Sequence, residues 1–269
     1  MYRHILVLSW LALSTGGCAL CADAVAIDGN PRPLNQLTVR LTEQYGYLVT
    51  YEEAPVDPAH EVVTKVYAPD RIDKVAVSRP VTFHIARGRS TNPGGQAGGS
   101  EDSEPLLPLS QELMQPLIDE YNASGNPNKF AVTFDGTYAH VYAVSHMVNG
   151  KMEDFQPILA TKVSMPPQTT LCYETLNNLF AELKKMRNVD VVRGMIGANS
   201  LYRLQCTIVG PDLTARDVLA QIAHQFGSNN GVGPRAPGEE LRIAWSLLYD
   251  IPWDKYFLSM FRVPDKTPR

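Results

Sequence analysis

The chain has 269 residues and a formal net charge of −4 at pH 7. It contains no run of lysines and arginines, which excludes a general nucleic-acid-binding protein, because such proteins present a basic patch. The length suffices for one large domain or two smaller ones.

Residues 1–24 read as an export signal. Arg3 precedes an apolar run from Ile5 to Leu13, and small residues follow up to an Ala-x-Ala cleavage site at Ala22–Ala24. The run is shorter than the roughly 20 apolar residues that a membrane-spanning helix needs, so we predict no transmembrane span. The signal predicts an exported protein, periplasmic or extracellular, and a buried N-terminal helix is the structural alternative.

Cys18 offers a second way of processing this signal. The residues before it, Ser14–Gly17, are small, as in a bacterial lipoprotein signal. Thr15, however, stands where such signals usually carry leucine. Lipidation at Cys18 would hold the protein at a membrane, whereas cleavage after Ala24 would leave it without an anchor.

Residues 25–86 are predicted to form a small β-α-β-β module. Its helix carries one apolar residue per turn: Leu34, Leu37, Leu41 and Tyr45. Gly46 suits the left-handed residue that closes many helices. One short strand is predicted before the helix, at 25–28, and two after it, at 47–52 and 79–86.

Residues 87–108 are predicted to be a flexible linker. They consist mainly of glycine, serine, proline and acidic residues, with almost no apolar residue before Leu106, so they cannot form a core. Their glycines do not form a phosphate-binding loop, because no Gly-Lys-Ser/Thr follows. The chain should therefore divide into the module and a larger domain over 109–269.

The larger domain is predicted to be α+β, with antiparallel hairpins and two or three helices. A helix is expected near 113–121, and Pro116 leaves the residue at which it begins undetermined. A hairpin should turn at Asp135-Gly136, and Thr170 should cap a helix over 171–186. The remaining predicted strands are 158–165, 189–193, 202–210, 241–250 and 256–263, and a short turn should join the last two as a hairpin.

The helix pattern of residues 34–46 returns at residues 215–227, and both copies end in Gln-aromatic-Gly. Thr214 and Asp217 approximate a capping box ahead of the second copy. We expect each helix to pack on the strands that follow it, with Trp245 buried beneath the second. The apolar positions that correspond are Leu34 with Ala215, Leu37 with Val218, and Leu41 with Ile222.

The stretch PLNQLTVRLTEQYGYLVTYEE, residues 33–53, resembles the short N-terminal module of secretins and TonB-dependent transducers, where such a helix precedes Gly-x-x-Val-x-Tyr. The resemblance covers residues 25–86 and, more faintly, 205–250. The later part, from LIDEYNASGNPNKFAV onward, resembles exported bacterial proteins of unassigned function. No segment resembling a secretin ring domain accompanies the module, so the resemblance implies docking to envelope partners rather than transport.

The sequence contains four cysteines, of which Cys18 and Cys21 lie in the predicted signal. Cleavage after Ala24 would leave Cys172 and Cys206. An oxidising compartment favours a disulfide between these two, and two separately buried thiols are the alternative.

Motifs for metal binding and nucleophilic catalysis are incomplete. His60-Glu61 begins like a zinc-protease motif, but Thr64 stands where the second histidine is needed. His140 and His146 should lie about 20 Å apart along one strand, too far to share an ion. No Gly-x-Ser-x-Gly motif is present. We therefore predict no catalytic, cofactor-binding or metal-binding residues, and no cofactor.

Adjacent acidic residues also fail to converge. Glu52 and Glu53 should point to opposite faces of a strand, and Asp119 and Glu120 are neighbours on a helix. The sequence favours a non-enzymatic cell-envelope protein that binds a protein partner, with exposed sheet edges as docking places. The alternative is an extracytoplasmic hydrolase whose site forms only in the fold. A deep cavity with converging polar groups would support the hydrolase, and a shallow surface would support the binding protein.

Overall fold

The computed structural model describes residues 22–57, 61–68, 71–76, 78–86, 107–196, 204–210, 212–228 and 242–264. The fold is α+β, as predicted. The helices are α1 Pro33–Tyr45, α2 Gln111–Ala123, α3 Cys172–Arg187 and α4 Ala215–Ser228. The strands are β1 Ala22–Ile27, β2 Val49–Glu52, β3 Val62–Ala68, β4 Arg71–Ala76, β5 Val81–Ala86, β6 Lys129–Phe134, β7 Ala139–Val148, β8 Lys151–Asp154, β9 Gln168–Leu171, β10 Val191–Ile196, β11 Gln205–Ile208, β12 Arg242–Asp250 and β13 Lys255–Val263.

The main sheet is mixed and has the strand order β10-β13-β12-β2-β7-β6, with β8 paired to β7. Strand β2 runs parallel to both of its neighbours, β12 and β7. Three two-stranded ribbons stand beside this sheet: β1 with β5, β3 with β4, and β9 with β11. The predicted hairpins β6–β7 and β12–β13 are both present.

Strand β2 joins the first 86 residues to the rest of the chain. All four of its residues are buried, so it needs a neighbour on each side and cover on both faces. The ranges 25–86 and 109–269 therefore do not form separate sheets, which differs from the division expected from the sequence. Most of the predicted linker, residues 87–106, lies outside the described residues, and its flexibility stays a prediction.

Two apolar cores lie on opposite faces of the main sheet. Helices α1 and α2 cover one face, where Val49 and Tyr51 of β2 point. Helices α3 and α4 cover the other face, together with the inward side of β12 and β13. Because side chains alternate along a strand, Thr50 and Glu52 face the second core.

Helix α1 ends as its sequence predicts. Leu34, Leu37 and Leu41 are fully buried. Gly46 adopts φ 71°, and its N–H donates to Thr42 O while Tyr47 N–H donates to Leu41 O. This paired arrangement satisfies carbonyls that the helix end would otherwise leave open.

Helix α4 begins as predicted and ends differently. Asp217 Oδ2 accepts from Thr214 N–H at 2.8 Å, and Thr214 Oγ1 accepts from Asp217 N–H at 3.2 Å, which completes the capping box. The helix then continues through Gly227 to Ser228. Trp245 is 1% exposed and belongs to the same core as Val218 and Ile222, so its predicted burial is confirmed.

Two local predictions are corrected. The segment 158–165 is not a strand: a 3-10 turn occupies Ile158–Ala160, and a single bridge joins Lys162 to Thr214. Thr170 does not cap α3, whose N-cap is Leu171. The Thr170 hydroxyl instead forms a hydrogen bond with the Thr175 hydroxyl at 2.8 Å. The β3–β4 hairpin was not expected. Pro116 lies inside α2, which Ser110 caps.

The predicted export signal lies almost wholly outside the described residues and stays a prediction, as does lipidation at Cys18. Its expected cleavage site is Ala22–Ala24, and these residues already form β1, opposite Ala86, Ile85 and His84. Cleavage after Ala24 would therefore shorten β1 by three paired residues. Among the helices that the structure describes, none is long and apolar enough to cross a membrane.

Candidate functional site

Glu52 and Glu53 lie at the centre of the molecule, where β2 ends. As predicted, they point to opposite faces, and each is almost fully buried. Each reaches an arginine near the start of one of the repeated helices. Glu53 binds Arg32, the residue before α1, and Glu52 binds Arg216 in the first turn of α4.

The geometry of the two ion pairs satisfies both carboxylates. Both oxygens of Glu53 accept from Arg32 Nε at 2.9 Å, and Oε2 also accepts from Tyr249 N–H at 3.0 Å. The oxygens of Glu52 accept from Leu159 N–H at 2.8 Å and from Arg216 Nη2 at 3.1 Å. Neither carboxylate is left to act on a substrate.

Burial raises the pKa of Glu52 and of Glu53, and the paired arginine opposes that rise in each case. A raised carboxyl pKa inside a cleft is often a mark of general acid catalysis. Here the two carboxyls lie on opposite faces of a sheet, so they cannot act on one bond. They fix the helices to β2 instead.

A second buried polar group is a chain of three side chains. His140 Nε2 bonds Asp135 Oδ2 at 3.0 Å, and His140 Nδ1 bonds Thr50 Oγ1 at 2.8 Å. Burial and the charge of Arg216 lower the pKa of His140. Burial raises the pKa of Asp135, but hydrogen bonds from Tyr138 and Thr137 N–H and from His140 outweigh it, and the net shift is downward.

This chain has the order of a carboxylate–imidazole–hydroxyl relay. Thr50, however, is 3% exposed and faces the second core, where the His140 ring packs 5.8 Å from the Trp245 ring. A hydroxyl in that position does not meet a substrate from solvent. The arrangement reads as a satisfied buried polar network.

The predicted disulfide is not present. Cys172 and Cys206 are both free thiols, and the sulfurs are not at bonding distance, although both are buried. They are neighbours, because Cys172 begins α3 and Cys206 lies in β11. A thiol–thiol hydrogen bond raises the pKa of Cys172 and lowers that of Cys206 to about 7, and Cys206 also bonds the Thr175 hydroxyl at 3.3 Å.

The remaining polar residues singled out in the sequence do not converge. His140 is engaged by Asp135, and the His146 ring packs 5.0 Å from that of Phe155. Asp119 accepts from Gln115, and Glu120 binds the backbone and ring of His84. His60 lies outside the described residues. Within the part that is described, no three His, Cys, Asp or Glu residues are grouped to hold a metal.

Side-chain amides seal two strand edges in place of further strands. Asn122 of α2 accepts from Phe130 N–H and donates to Phe130 C=O, on β6. Gln225 of α4 does the same for Thr207 of β11, and Gln221 for Val209 just beyond it. These paired bonds blunt edges that could otherwise accept a foreign strand.

An open groove lies where the predicted strand 158–165 fails. We call it the α3 groove. Its volume is about 550 Å³, and it is lined by Lys162–Pro167, by Glu182, Lys185 and Met186 of α3, and by Gly210 and Asp212. Val163 and Met165 are buried at its base, whereas the side chain of Met186 is 55% exposed.

The charges of the α3 groove are only partly paired. Lys185 binds Glu182 at 3.2 Å. Lys162 forms no ion pair with any residue that the structure describes, and it is exposed. Sequence reasoning missed this site, although Pro166-Pro167 just after a predicted strand is a signal that a ladder breaks there.

Comparisons with known proteins yield no relative. The chain matches no protein-family model. No curated protein and no solved structure matches it significantly.

Proposed function

We propose that this protein acts in the cell envelope by binding a protein partner, without catalysing a reaction. The observation that carries the proposal is the α3 groove, which is open and bears an exposed methionine beside charges of both signs. Methionine suits adaptable binding surfaces because its side chain is flexible and polarisable. The envelope location rests on the export signal predicted for residues 1–24.

The use of the ionisable groups supports the same proposal. Glu52, Glu53 and His140 are buried and bound within the protein, as described above. An active site instead needs its acid, base or nucleophile to meet the substrate. The groove shows no such convergence of buried acid and base.

One observation favours the hydrolase alternative, namely the Asp135–His140–Thr50 chain. It has the hydrogen-bond order of a nucleophilic relay, but Thr50 has almost no exposed surface. Replacing Thr50 with valine keeps the shape and removes the hydroxyl. If the purified protein hydrolyses a panel of ester and amide substrates and Thr50→Val abolishes that activity, the binding proposal is wrong.

The binding proposal is tested by capture from an envelope extract. The mature protein is used as bait beside Met186→Glu, which puts a charge into the groove, and Met195→Glu as the matched control. Met195 is 83% exposed but lies on β10, outside the groove lining. We expect a partner, identified by mass, that Met195→Glu retains and Met186→Glu loses. A partner set that is identical for all three baits would contradict the proposal.

A further inference from the structure

The α3 groove lies between two places where the same two chain segments pair in antiparallel fashion. Strand β9 pairs with β11 so that Leu171 faces Gln205 and Gln168 faces Ile208. If this register continued, Lys162 would face Thr214. These two residues do pair, as an isolated bridge. The two segments therefore separate beyond Gln168 and meet again at Val163, whose N–H donates to Leu213 C=O at 2.9 Å.

Proline explains the opening. Pro166 and Pro167 have no N–H to donate, so the ladder cannot continue past Gln168. The segment nevertheless keeps the burial pattern of a strand, because Thr161, Val163 and Met165 are buried while Lys162 and Ser164 are exposed. Beyond Val163 it has the form of a strand without a neighbour.

The backbone inside the gap is available. Strand alternation turns the N–H and C=O of Met165 to the same side as those of Val163, toward the departing segment with Gly210. Among the described residues, neither Met165 nor Gly210 has a backbone hydrogen-bond partner. Val209 beside Gly210 does not compete, since Gln221 already binds its N–H and C=O.

From this geometry we propose that the α3 groove binds an extended, mainly apolar peptide segment of the partner protein, which adds as a short strand at Met165. The proposal rests on the proposed function and names its mode of recognition. A strand fills roughly 160 Å³ per residue, from its rise and from the strand and sheet spacings, so about 550 Å³ holds three or four residues.

Charge gives the segment one further feature. Lys162 at the closed end of the gap is unpaired within the described part of the chain, whereas Lys185 is neutralised by Glu182. An acidic residue of the peptide would pair with Lys162, and an apolar side chain would lie against Met186. Main-chain hydrogen bonds would supply the affinity, and these two side-chain contacts would supply the specificity.

The test uses a displayed library of random eight-residue peptides, selected on the mature protein. We expect selected peptides to contain alternating apolar residues and an acidic one. Met186→Glu should weaken their binding about tenfold and Lys162→Ala severalfold, whereas Met195→Glu should leave it unchanged. Melting curves of the three variants verify that each is folded.

Strand addition itself is tested by methylating each backbone nitrogen of the best peptide in turn. An added strand donates only alternate N–H groups to its neighbour, so every second methylation should weaken binding by roughly two- to tenfold and the others should have little effect. Equal effects along the peptide, or no selected peptide while capture still depends on Met186, would overturn strand addition and leave the proposed function standing. Capture that ignores Met186 would overturn the proposed function.

Discussion

Helices α1 and α4 are built from one sequence pattern, yet they are used differently. Both bury the same stripe against the main sheet, from opposite faces: α1 packs against β2, and α4 packs against its parallel neighbour β12. Their outward positions diverge. Gln221 of α4 seals the chain beyond β11, whereas Arg40, at the corresponding position of α1, makes no such pair of bonds with any described residue. The repeat thus determines how a helix packs inward, and its neighbours determine what the outward side chains do.

The largest expected effect tests the core beneath α4. Trp245→Ala removes a fully buried aromatic side chain, and we expect a loss of about 3–5 kcal/mol in the free energy of unfolding. Urea unfolding measures it. Trp253→Ala is the matched control, because Trp253 is 67% exposed, and it should change stability by less than about 0.5 kcal/mol. Equal small effects would show that α4 does not depend on this face.

The next effect compares the two ion pairs at β2. Glu52→Ala leaves Arg216 without its carboxylate, and since Arg216 is only 18% exposed we expect a loss of about 3 kcal/mol. Glu53→Ala should cost less, because Arg32 is 27% exposed and keeps a bond to Tyr249 C=O. Adding Arg216→Ala to Glu52→Ala should recover part of the loss in urea unfolding. A larger cost for Glu53→Ala would reverse the comparison.

Acid should weaken the α4 face through His140. The pKa of His140 is lowered in the folded protein, so the unfolded chain takes up the proton first. Its stability contribution is present above about pH 6.5 and is lost as the pH falls below that value, by up to ~1.4 kcal/mol per pH unit. Melting temperatures at pH 7.5 and 5.5 should fall further for the native protein than for His140→Gln. An equal fall in melting temperature for the two proteins would refute the role of His140.

The smallest expected effect compares the outward-facing residues at corresponding positions of α4 and α1. Gln221→Ala removes two hydrogen bonds to Val209, and we expect a loss of about 1 kcal/mol, because Val209 is exposed and water replaces part of the bonding. Arg40→Ala, at the corresponding position of α1, should change stability by less than about 0.5 kcal/mol. Chemical unfolding of both variants decides it, and equal losses would mean that the two helices are used alike.

Local signals carried much of this architecture in the sequence. Leucine spacing with Gly46 predicted α1 and its end, Thr214 with Asp217 predicted the start of α4, and Asp135-Gly136 predicted the turn between β6 and β7. Each depends on residues that are close in the chain. The burial of Trp245 followed from the same patterns, since the strand that contains it and the helix that covers it both show clear periodicity.

The parts that the sequence did not predict depend on long-range contacts. The pattern Val49–Glu52 predicts a strand but not its neighbours, so its place between β12 and β7 could not be read locally. The arginine partners of Glu52 and Glu53 likewise come from distant elements. The α3 groove arises because two chain segments that pair on either side of it separate there, and only the paired prolines hinted at it. The disulfide expected between Cys172 and Cys206 is absent, because both are free thiols.

The central place of β2 also constrains the order in which the chain can fold. Val49 pairs with Ala139, and Tyr51 pairs with Ser246 close to the C-terminal end. A chain emerging from the ribosome therefore carries β2 with one edge open until β12 has been synthesised. Such long-range pairing favours slow folding, so the nascent chain should stay unfolded long enough to be bound by a chaperone. Removal of the β12–β13 hairpin should leave an aggregating polypeptide rather than a smaller folded protein.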